Sequence, residues 1–430
     1  MENNNAKVTI SVFTLGCKTN YYESQQIVAD LISRGYGASD GLKMADIYII
    51  NTCAITAEAE SKSRQAVARA KKFNPKASVI VVGCASQNNP TQFSSLTNVV
   101  YLSGNADKLN LGKVVDDIAS KISQNTCLEQ ITSIDTLPNK FVEGIYAYPS
   151  HTRAYIKIQD GCNNFCSYCL VPYLRGRNRS RSVESIVDEV KQTKSNEYVL
   201  TGIDISQYGV DINTNLSTLL NALQFADCRI RLGSIYQCAI NGDLLSSMQK
   251  NVCKHLHLSL QSGCDNTLRA MNRHYTTKEY ENSVNLIRSY YPNISITTDV
   301  IVGFCGETNQ DFCDTVDFIN KIKFADIHIF PFSPRKKTKA YGLEKPNSLV
   351  VKQRLAILTE LKHKLRSEYL TKQIGTTTST LVEEIKSGYY VGYTDNYCKV
   401  YVKEKVAIGE FVNVKLKELY LDGILGVVES

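Results

Sequence analysis

Cys162, Cys166 and Cys169 stand at a C-x3-C-x2-C spacing in the run Asp160-Gly161-Cys162-Asn163-Asn164-Phe165-Cys166-Ser167-Tyr168-Cys169. Three thiols this close in one loop can grip one metal centre. A [4Fe–4S] cluster usually takes four thiolates, so three leave one iron open for chemistry. The competing reading is structural zinc, which prefers paired C-x2-C arms and four ligands. The loop offers no fourth Cys or His, although spacing alone leaves a distant ligand open. A second set, Cys17, Cys53 and Cys84, is dispersed, and each member follows an apolar stretch: residues 8–13, 45–50 and 78–82. If those stretches are strands of an open α/β sheet, their C-terminal ends line one ligand-binding crevice. A single cysteine there is commonly a small buried residue. Three in the same topological slot read as ligands of a second iron–sulfur cluster.

The elements that must position these groups follow from periodicity. Helical stretches are expected over 23–33 and 56–72, the latter basic and stopped by Asn74-Pro75. From about residue 105 a helical start loses its period, and Cys127 lies there without a partner motif, as a free thiol. Pro138 and Pro149 mark a linker. Strands are then expected over 155–158, 198–200, 229–232, 255–260, 294–301 and 326–330, most separated by helical stretches. Six are too few for a closed eight-stranded barrel and fit an open, partial one, with active groups on the loops after the strands. A basic helix is expected over 348–372, carrying Lys352, Arg354, Lys362, Lys364, Arg366 and Lys372. Short alternating strands after Gly375 suggest a small antiparallel barrel of the OB type. The fold class is therefore α/β: an N-terminal open sheet (1–125), a linker (126–150), a partial (βα)6 TIM-like barrel (151–373) and a C-terminal β-barrel (374–430).

Composition bounds the function. A chain of 430 residues with 43% hydrophobic residues builds two or three cored domains. Its net charge of +7 makes a polyanionic partner plausible. The start, Glu2-Asn3-Asn4-Asn5, is polar, and no apolar run is long enough to span a bilayer. A cytoplasmic location is expected, where 14 cysteines point to metal or redox work rather than disulfides.

The C-x3-C-x2-C loop, with aromatic Tyr168 before its third cysteine, resembles the radical S-adenosylmethionine (SAM) enzymes. Together with the dispersed triad and the C-terminal barrel, the whole chain resembles the radical SAM methylthiotransferases, whose last domain is the TRAM barrel. The resemblance implies two [4Fe–4S] clusters, one on Cys162, Cys166 and Cys169 and one on Cys17, Cys53 and Cys84. It also implies SAM as both methyl donor and radical source, an electron donor such as a flavodoxin-type reductant, and a sulfur source. Three branches differ in substrate: isopentenyladenosine in tRNA, N6-threonylcarbamoyladenosine in tRNA, and an aspartate of a ribosomal protein. Leu15-Gly16-Cys17-Lys18-Thr19-Asn20-Tyr21-Tyr22-Glu23, Asn272-Arg273-His274-Tyr275-Thr276, Phe332-Ser333-Pro334-Arg335-Lys336-Lys337-Thr338 and Gly392-Tyr393-Thr394-Asp395-Asn396-Tyr397 are similar to motifs of the second branch. The expected reaction is thus 2-methylthiolation of threonylcarbamoyladenosine at tRNA position 37. A further alternative is an RNA-binding iron–sulfur protein without turnover.

In this resemblance Tyr168, Gly202, Asp204, Ser259, Gln261, Gly303 and Phe304 fall on the SAM side. Gly202 lets the backbone approach the cofactor closely. Each has a plainer reading as a turn glycine or strand cap. Arg175, Arg177, Arg179 and Arg181 alternate, which sends them to one side of an extended segment, where they could clamp phosphates. A solvated basic face is the competing reading. Arg335, Asn396, Tyr397 and Lys399 complete the expected tRNA contacts, an aromatic on the barrel turn serving to stack an unpaired base. The sequence departs from the family pattern at Lys337, Cys264, Cys305 and the Tyr236-Gln237 loop, which lacks an acidic residue; the two cysteines read as small buried replacements.

Overall fold

A computed structural model describes residues 8–120, 127–146, 152–248 and 251–429. The polar start at residues 2–5 and Pro149 lie outside them. The N-terminal sheet holds β1 (Thr9–Thr14), β2 (Gly37–Asp40), β3 (Ile47–Thr52), β4 (Ser78–Gly83), β5 (Val99–Ser103) and β6 (Leu128–Gln130). All neighbours are parallel, in the order β2-β1-β3-β4-β5-β6. Central β3 is buried at every residue, because helices cover both faces, and its sequence is correspondingly apolar. Helix Ala57–Phe73 starts where the Thr56 side chain accepts from Ala59 N–H. Glu58 and Glu60 in its first turn and Lys71 and Lys72 in its last turn complement its dipole. Strands β2, β5 and β6 were not expected. β6 falls inside the expected linker, so the N-terminal sheet extends past it.

Next come β7 (Arg153–Lys157), the short pair β8 (Gln159–Asp160) and β9 (Arg179–Ser180), β10 (Glu197–Thr201), β11 (Arg229–Leu232), β12 (Ser234–Ile235), β13 (His255–Leu258), β14 (Ser295–Val302) and β15 (Asp326–Pro331). The large strands form two parallel arcs, β7-β10-β11 and β12-β13-β14-β15. β11 and β12 are one strand interrupted at Gly233, so the arcs make an open barrel of six. One continuous apolar core joins its strands to the surrounding helices. Helix Lys18–Ser33 of the N-terminal unit packs against β7 at the open side.

After helix Ser348–Thr371, strands β16 (Thr377–Lys386), β17 (Tyr389–Thr394), β18 (Lys399–Val402), β19 (Phe411–Tyr420) and β20 (Gly423–Val428) close a barrel in the order β16-β17-β18-β20-β19. Every pair is antiparallel except β18 with β20, a parallel contact the alternating sequence does not announce. Among the described residues, no helix is long and apolar enough to cross a membrane.

Candidate active site

The cysteine loop leaves β8 and returns through β9. Gly161 at its base has φ +75°, and a Cβ there would lie 1.8 Å from the Arg177 carbonyl oxygen, so only glycine fits. Phe165 is held at φ +47°, a left-handed conformation costly for an aromatic residue. Asn272 fixes it by donating to the carbonyls of Asn164 (3.2 Å) and Phe165 (3.0 Å). Each sulfur of the loop accepts an N–H. Asn164 Nδ2 reaches Cys162 Sγ at 3.4 Å, Arg273 reaches Cys166 Sγ at 3.5 Å, and Val171 N reaches Cys169 Sγ at 3.5 Å. Such donors orient thiolate ligands and tune the charge they carry. Burial, offset in part by those bonds and augmented by the neighbouring sulfurs, raises the Cys162 thiol to about 11 and the Cys169 thiol to about 12. Crowded thiols without a cation resist ionisation; bound iron would replace their protons.

Gln159 ties this loop to the next one. Its Nε2 donates to Gly161 O at 2.7 Å, and its Oε1 accepts from Ile203 N (2.9 Å) and Asp204 N (2.8 Å). A Cβ on Gly202 would meet that same Oε1 at 2.8 Å. Asp204 is thereby placed beside the cluster loop, its Oδ2 accepting from Asn164 Nδ2 at 2.7 Å. Its other oxygen, Oδ1, is buried with no partner, and burial raises the carboxyl pKa. A buried carboxylate oxygen without a partner can accept from a bound ligand, and the amino group of SAM fits it. Arg273 crosses the same space, lying over the rings of Tyr236 (4.2 Å) and Tyr275 (5.0 Å) and donating to Ser259 O.

The other expected SAM residues are spread along the strand ends. Gln261 takes φ +70° and bridges β14 through Asp299 O and Ile301 N. Gly303 takes φ +71° and donates to Glu307, itself paired with Arg354 at 2.5 Å. Phe304 is fully buried, packed edge-on between Tyr168 (6.3 Å) and Phe332 (5.1 Å). It supports Tyr168 instead of presenting a free face. Cys264 is buried and donates to Asp311 at 3.1 Å, and Cys305 is buried near the carbonyls of Ala340 and Leu343.

The dispersed triad converges. β1, β3 and β4 are neighbours, and Cys17, Cys53 and Cys84 follow their C-terminal ends. A Cβ on Gly16 would lie 2.7 Å from Cys53 Sγ, so this glycine lets the first loop close on the second cysteine. Burial, then the sulfurs of Cys84 and Cys17, push the Cys53 thiol up to about 12. All six cysteines are free. Asn105 donates to Cys84 Sγ (3.4 Å) and to Leu174 O (2.9 Å), and Leu174 lies in the helix Val171–Arg175 that begins just after Cys169. The two triads thus face one interface.

That interface corrects the expectation for the arginines. Arg175 is 2% exposed and its guanidinium contacts Glu23 (2.8 Å), Asp160 (3.1 Å) and Asn20 (2.6 Å). Arg181, also 2% exposed, is bound by Glu189 and Tyr22. Arg179 is buried and donates to Arg175 O. Only Arg177 of the four is exposed, over the Phe165 ring at 4.4 Å. The segment is not extended: it is a helix end, a turn at Gly176 and a two-residue strand, so alternation does not set the facing. Arg335 is likewise buried, paired with Glu60 at 2.7 Å. As they stand, Arg175, Arg181 and Arg335 join the N-terminal unit to the barrel, while Arg179 is held within the barrel by Arg175 and Asp160. Asn396 binds Thr394 and Gln373, Lys399 binds Asp422 at 2.9 Å, and Tyr397 stacks on Tyr393 at 5.0 Å.

Tyr397 and Lys399, but not Asn396, border a cleft of about 760 Å³ within the partial barrel. Lys18 from the N-terminal unit, His257 from the barrel, Arg366 from the long helix and Tyr397 from the C-terminal barrel all line it. Within it Asp299 meets His257 at 3.1 Å and His328 at 3.4 Å. Burial raises the Asp299 pKa, but the two histidine contacts outweigh it and hold the carboxyl below the usual range. Sequence reasoning missed Asn164, Gln159, Arg273 and Tyr236 as supports of the cluster loop. The Asn272-Arg273 run was visible as a motif; its partners were not.

The fold and the site define a radical SAM protein. Residues 156–319 match the Radical SAM superfamily, and residues 9–104 match the family described as Uncharacterized protein family UPF0004. A solved radical SAM methyltransferase from Kitasatospora setae, with cobalamin and a [4Fe–4S] cluster bound, shares the fold. Its TM-score is 0.51 at 12% identity, covering 78% of this chain and 74% of that one. The chain belongs to the radical SAM methylthiotransferases. It is 37% identical to the threonylcarbamoyladenosine tRNA methylthiotransferase MtaB of Aquifex aeolicus, over 93% of this chain and 98% of that protein. It is 34% identical to the protein of the same name in Bacillus subtilis (95% and 93% covered). A tRNA-2-methylthio-N(6)-dimethylallyladenosine synthase of Endomicrobium trichonymphae is 31% identical (96% and 98% covered).

Proposed function

We propose that this chain installs a methylthio group at C2 of N6-threonylcarbamoyladenosine at position 37 of tRNA, using two [4Fe–4S] clusters and SAM. The observation that carries the reading is the pair of three-thiol sites facing one interface, joined through Asn105 and Leu174. A single cluster would need only one triad. When bound, the cluster at Cys162, Cys166 and Cys169 supplies one-electron cleavage of SAM, which activates an otherwise unreactive C–H bond. Cys17, Cys53 and Cys84 would hold the second cluster, which would supply the sulfur to be transferred. The residues of the chain do the rest. Asp204 receives the cationic end of SAM, Arg273 and Asn272 fix the cysteine loop, and the Glu23–Arg175 network keeps the two sites in register. The base enters from the cleft, where an anticodon-loop nucleoside can be splayed out at modest cost.

The threonylcarbamoyl substrate is supported by relatives at 34–37% identity carrying that name, against 31% for the dimethylallyl enzyme. A flavodoxin-type reductant and a separate sulfur source complete the reaction. A cytoplasmic location, where free thiols persist, fits this chemistry. Nucleoside mass analysis of tRNA from cells lacking the chain tests the reading. Loss of the methylthio group from threonylcarbamoyladenosine alone is expected; loss from isopentenyladenosine instead would reassign the substrate.

A further inference from the structure

Lys18 directly follows the cluster cysteine Cys17 and opens helix Lys18–Ser33. Its side chain is exposed into the cleft of the partial barrel. It makes no hydrogen bond or ion pair with another described residue. Two neighbouring cations on the barrel wall are committed, while Arg366 of the long helix also lines the cleft. Arg231 is paired with Glu197 at 2.8 Å, and Arg153 is bound by Glu383. The acidic groups of the cleft are committed as well: Asp299 to two histidines, Asp326 to Lys362 at 3.4 Å, and Asp422 to Lys399. Lys18 therefore stands in the cleft without an ion-pair partner among the described residues, adjacent to Cys17.

We infer that Lys18 is the specificity-determining partner of the substrate's side-arm carboxylate. The inference rests on the threonylcarbamoyl reading above. A threonylcarbamoyl group carries one carboxylate on the N6 arm; a dimethylallyl group carries none. For C2 of the base to face the sulfur held near Cys17, the base must lie next to this loop. The N6 arm then extends along the cleft wall that Lys18 occupies. The ammonium meets the carboxylate in a space walled by protein, where a charge-assisted bond is strongest. Backbone phosphate is the other anion an RNA brings, and the test separates the two.

The probes are three anticodon stem-loops of one sequence. Their A37 carries threonylcarbamoyl, the methyl ester of that group, or no modification. Binding and kcat/KM are measured for iron- and sulfide-reconstituted wild type, Lys18→Gln and Lys18→Arg. Wild type should prefer acid over ester by about 10- to 100-fold, the range of one charge-assisted bond. Lys18→Gln should bring that ratio near one, chiefly through KM, and Lys18→Arg should restore most of it. Acid and ester are compared on the same preparation, so incomplete cluster loading of a variant cancels in the ratio. A wild-type ratio near one, or an unchanged ratio in Lys18→Gln, overturns the inference. So does equal weakening of all three RNAs in that variant, which assigns Lys18 to a phosphate. A fourth stem-loop carrying isopentenyladenosine separates the two readings: if wild type binds the acid tightly and through Lys18 yet methylthiolates only this fourth RNA, the substrate reading fails while the Lys18 contact stands.

Discussion

At the scale of single residues, the site is a set of donors and acceptors waiting for charge. The three sulfurs of the cysteine loop each accept an N–H, and Asp204 keeps one oxygen unmatched. On the proposed two-cluster reading, Cys162→Ala should cut bound iron by roughly half and abolish 5′-deoxyadenosine formation, because the cluster on that loop is the one assigned to SAM. Iron analysis and product chromatography of the reduced protein check both effects. Cys53→Ala should remove the other half of the iron while leaving some SAM cleavage; loss of all cleavage would argue against separate roles for the two triads. Asp204→Ala should weaken SAM binding by about 10- to 100-fold, the loss of a charge-assisted bond in a buried site. Titration calorimetry with SAM reads this directly, and an unchanged affinity would remove Asp204 from the site.

At the scale of elements, helix Lys18–Ser33 is the hinge between sequence and site. Its first residue lines the cleft, and its Glu23 meets Lys108 at 2.5 Å, Lys157 at 2.7 Å and Arg175 at 2.8 Å. Burial opposes ionisation of Glu23, but these three cations outweigh it and hold its carboxyl well below the usual range. Its contribution is thus fully present above the ordinary carboxylate range and is lost as pH falls through the lowered folded value. Glu23→Ala leaves three buried cations short of an anion and should destabilise the protein by about 3–5 kcal/mol. Urea unfolding at neutral pH measures that loss, and the difference between wild type and variant should shrink on acidification. The sequence shows the helix, yet begins it five residues late. Cys17 caps it without a side-chain bond, so the usual N-cap signal is missing.

At the scale of the whole molecule, the proposed RNA contacts move away from the cysteine loop and onto the cleft. Four units line it: the N-terminal helix, the partial barrel, the long helix Ser348–Thr371 and the C-terminal barrel. If phosphates are met there, replacing both Lys362 and Arg366 by Gln should weaken all tRNAs alike. It should also reduce the log–log salt slope of binding by about 2. Filter binding across salt concentrations tests it, and a slope unchanged by the double substitution would place the phosphates elsewhere.

Much of this was legible in the sequence. C-x3-C-x2-C is a local constraint, readable without a fold, and strand-then-cysteine repeated three times needed only the rule that parallel strands end on one crevice. The six barrel strands were legible because buried parallel strands are apolar runs. Strands β2, β5 and β6 were not: β2 (GASD) is polar and lies at the sheet edge, and β6 holds three exposed residues. The facing of the arginines was decided only by tertiary structure. Whether a guanidinium meets solvent or a carboxylate depends on where Glu23, Asp160, Glu189 and Glu60 arrive, and two of them, Glu23 and Glu60, lie far away along the chain. Local spacing thus brought the three thiols of the cysteine loop together, because the geometry within one short loop is short-ranged. The pairing of charges, and with it the surface left for the substrate, was set by long-range packing that periodicity does not encode.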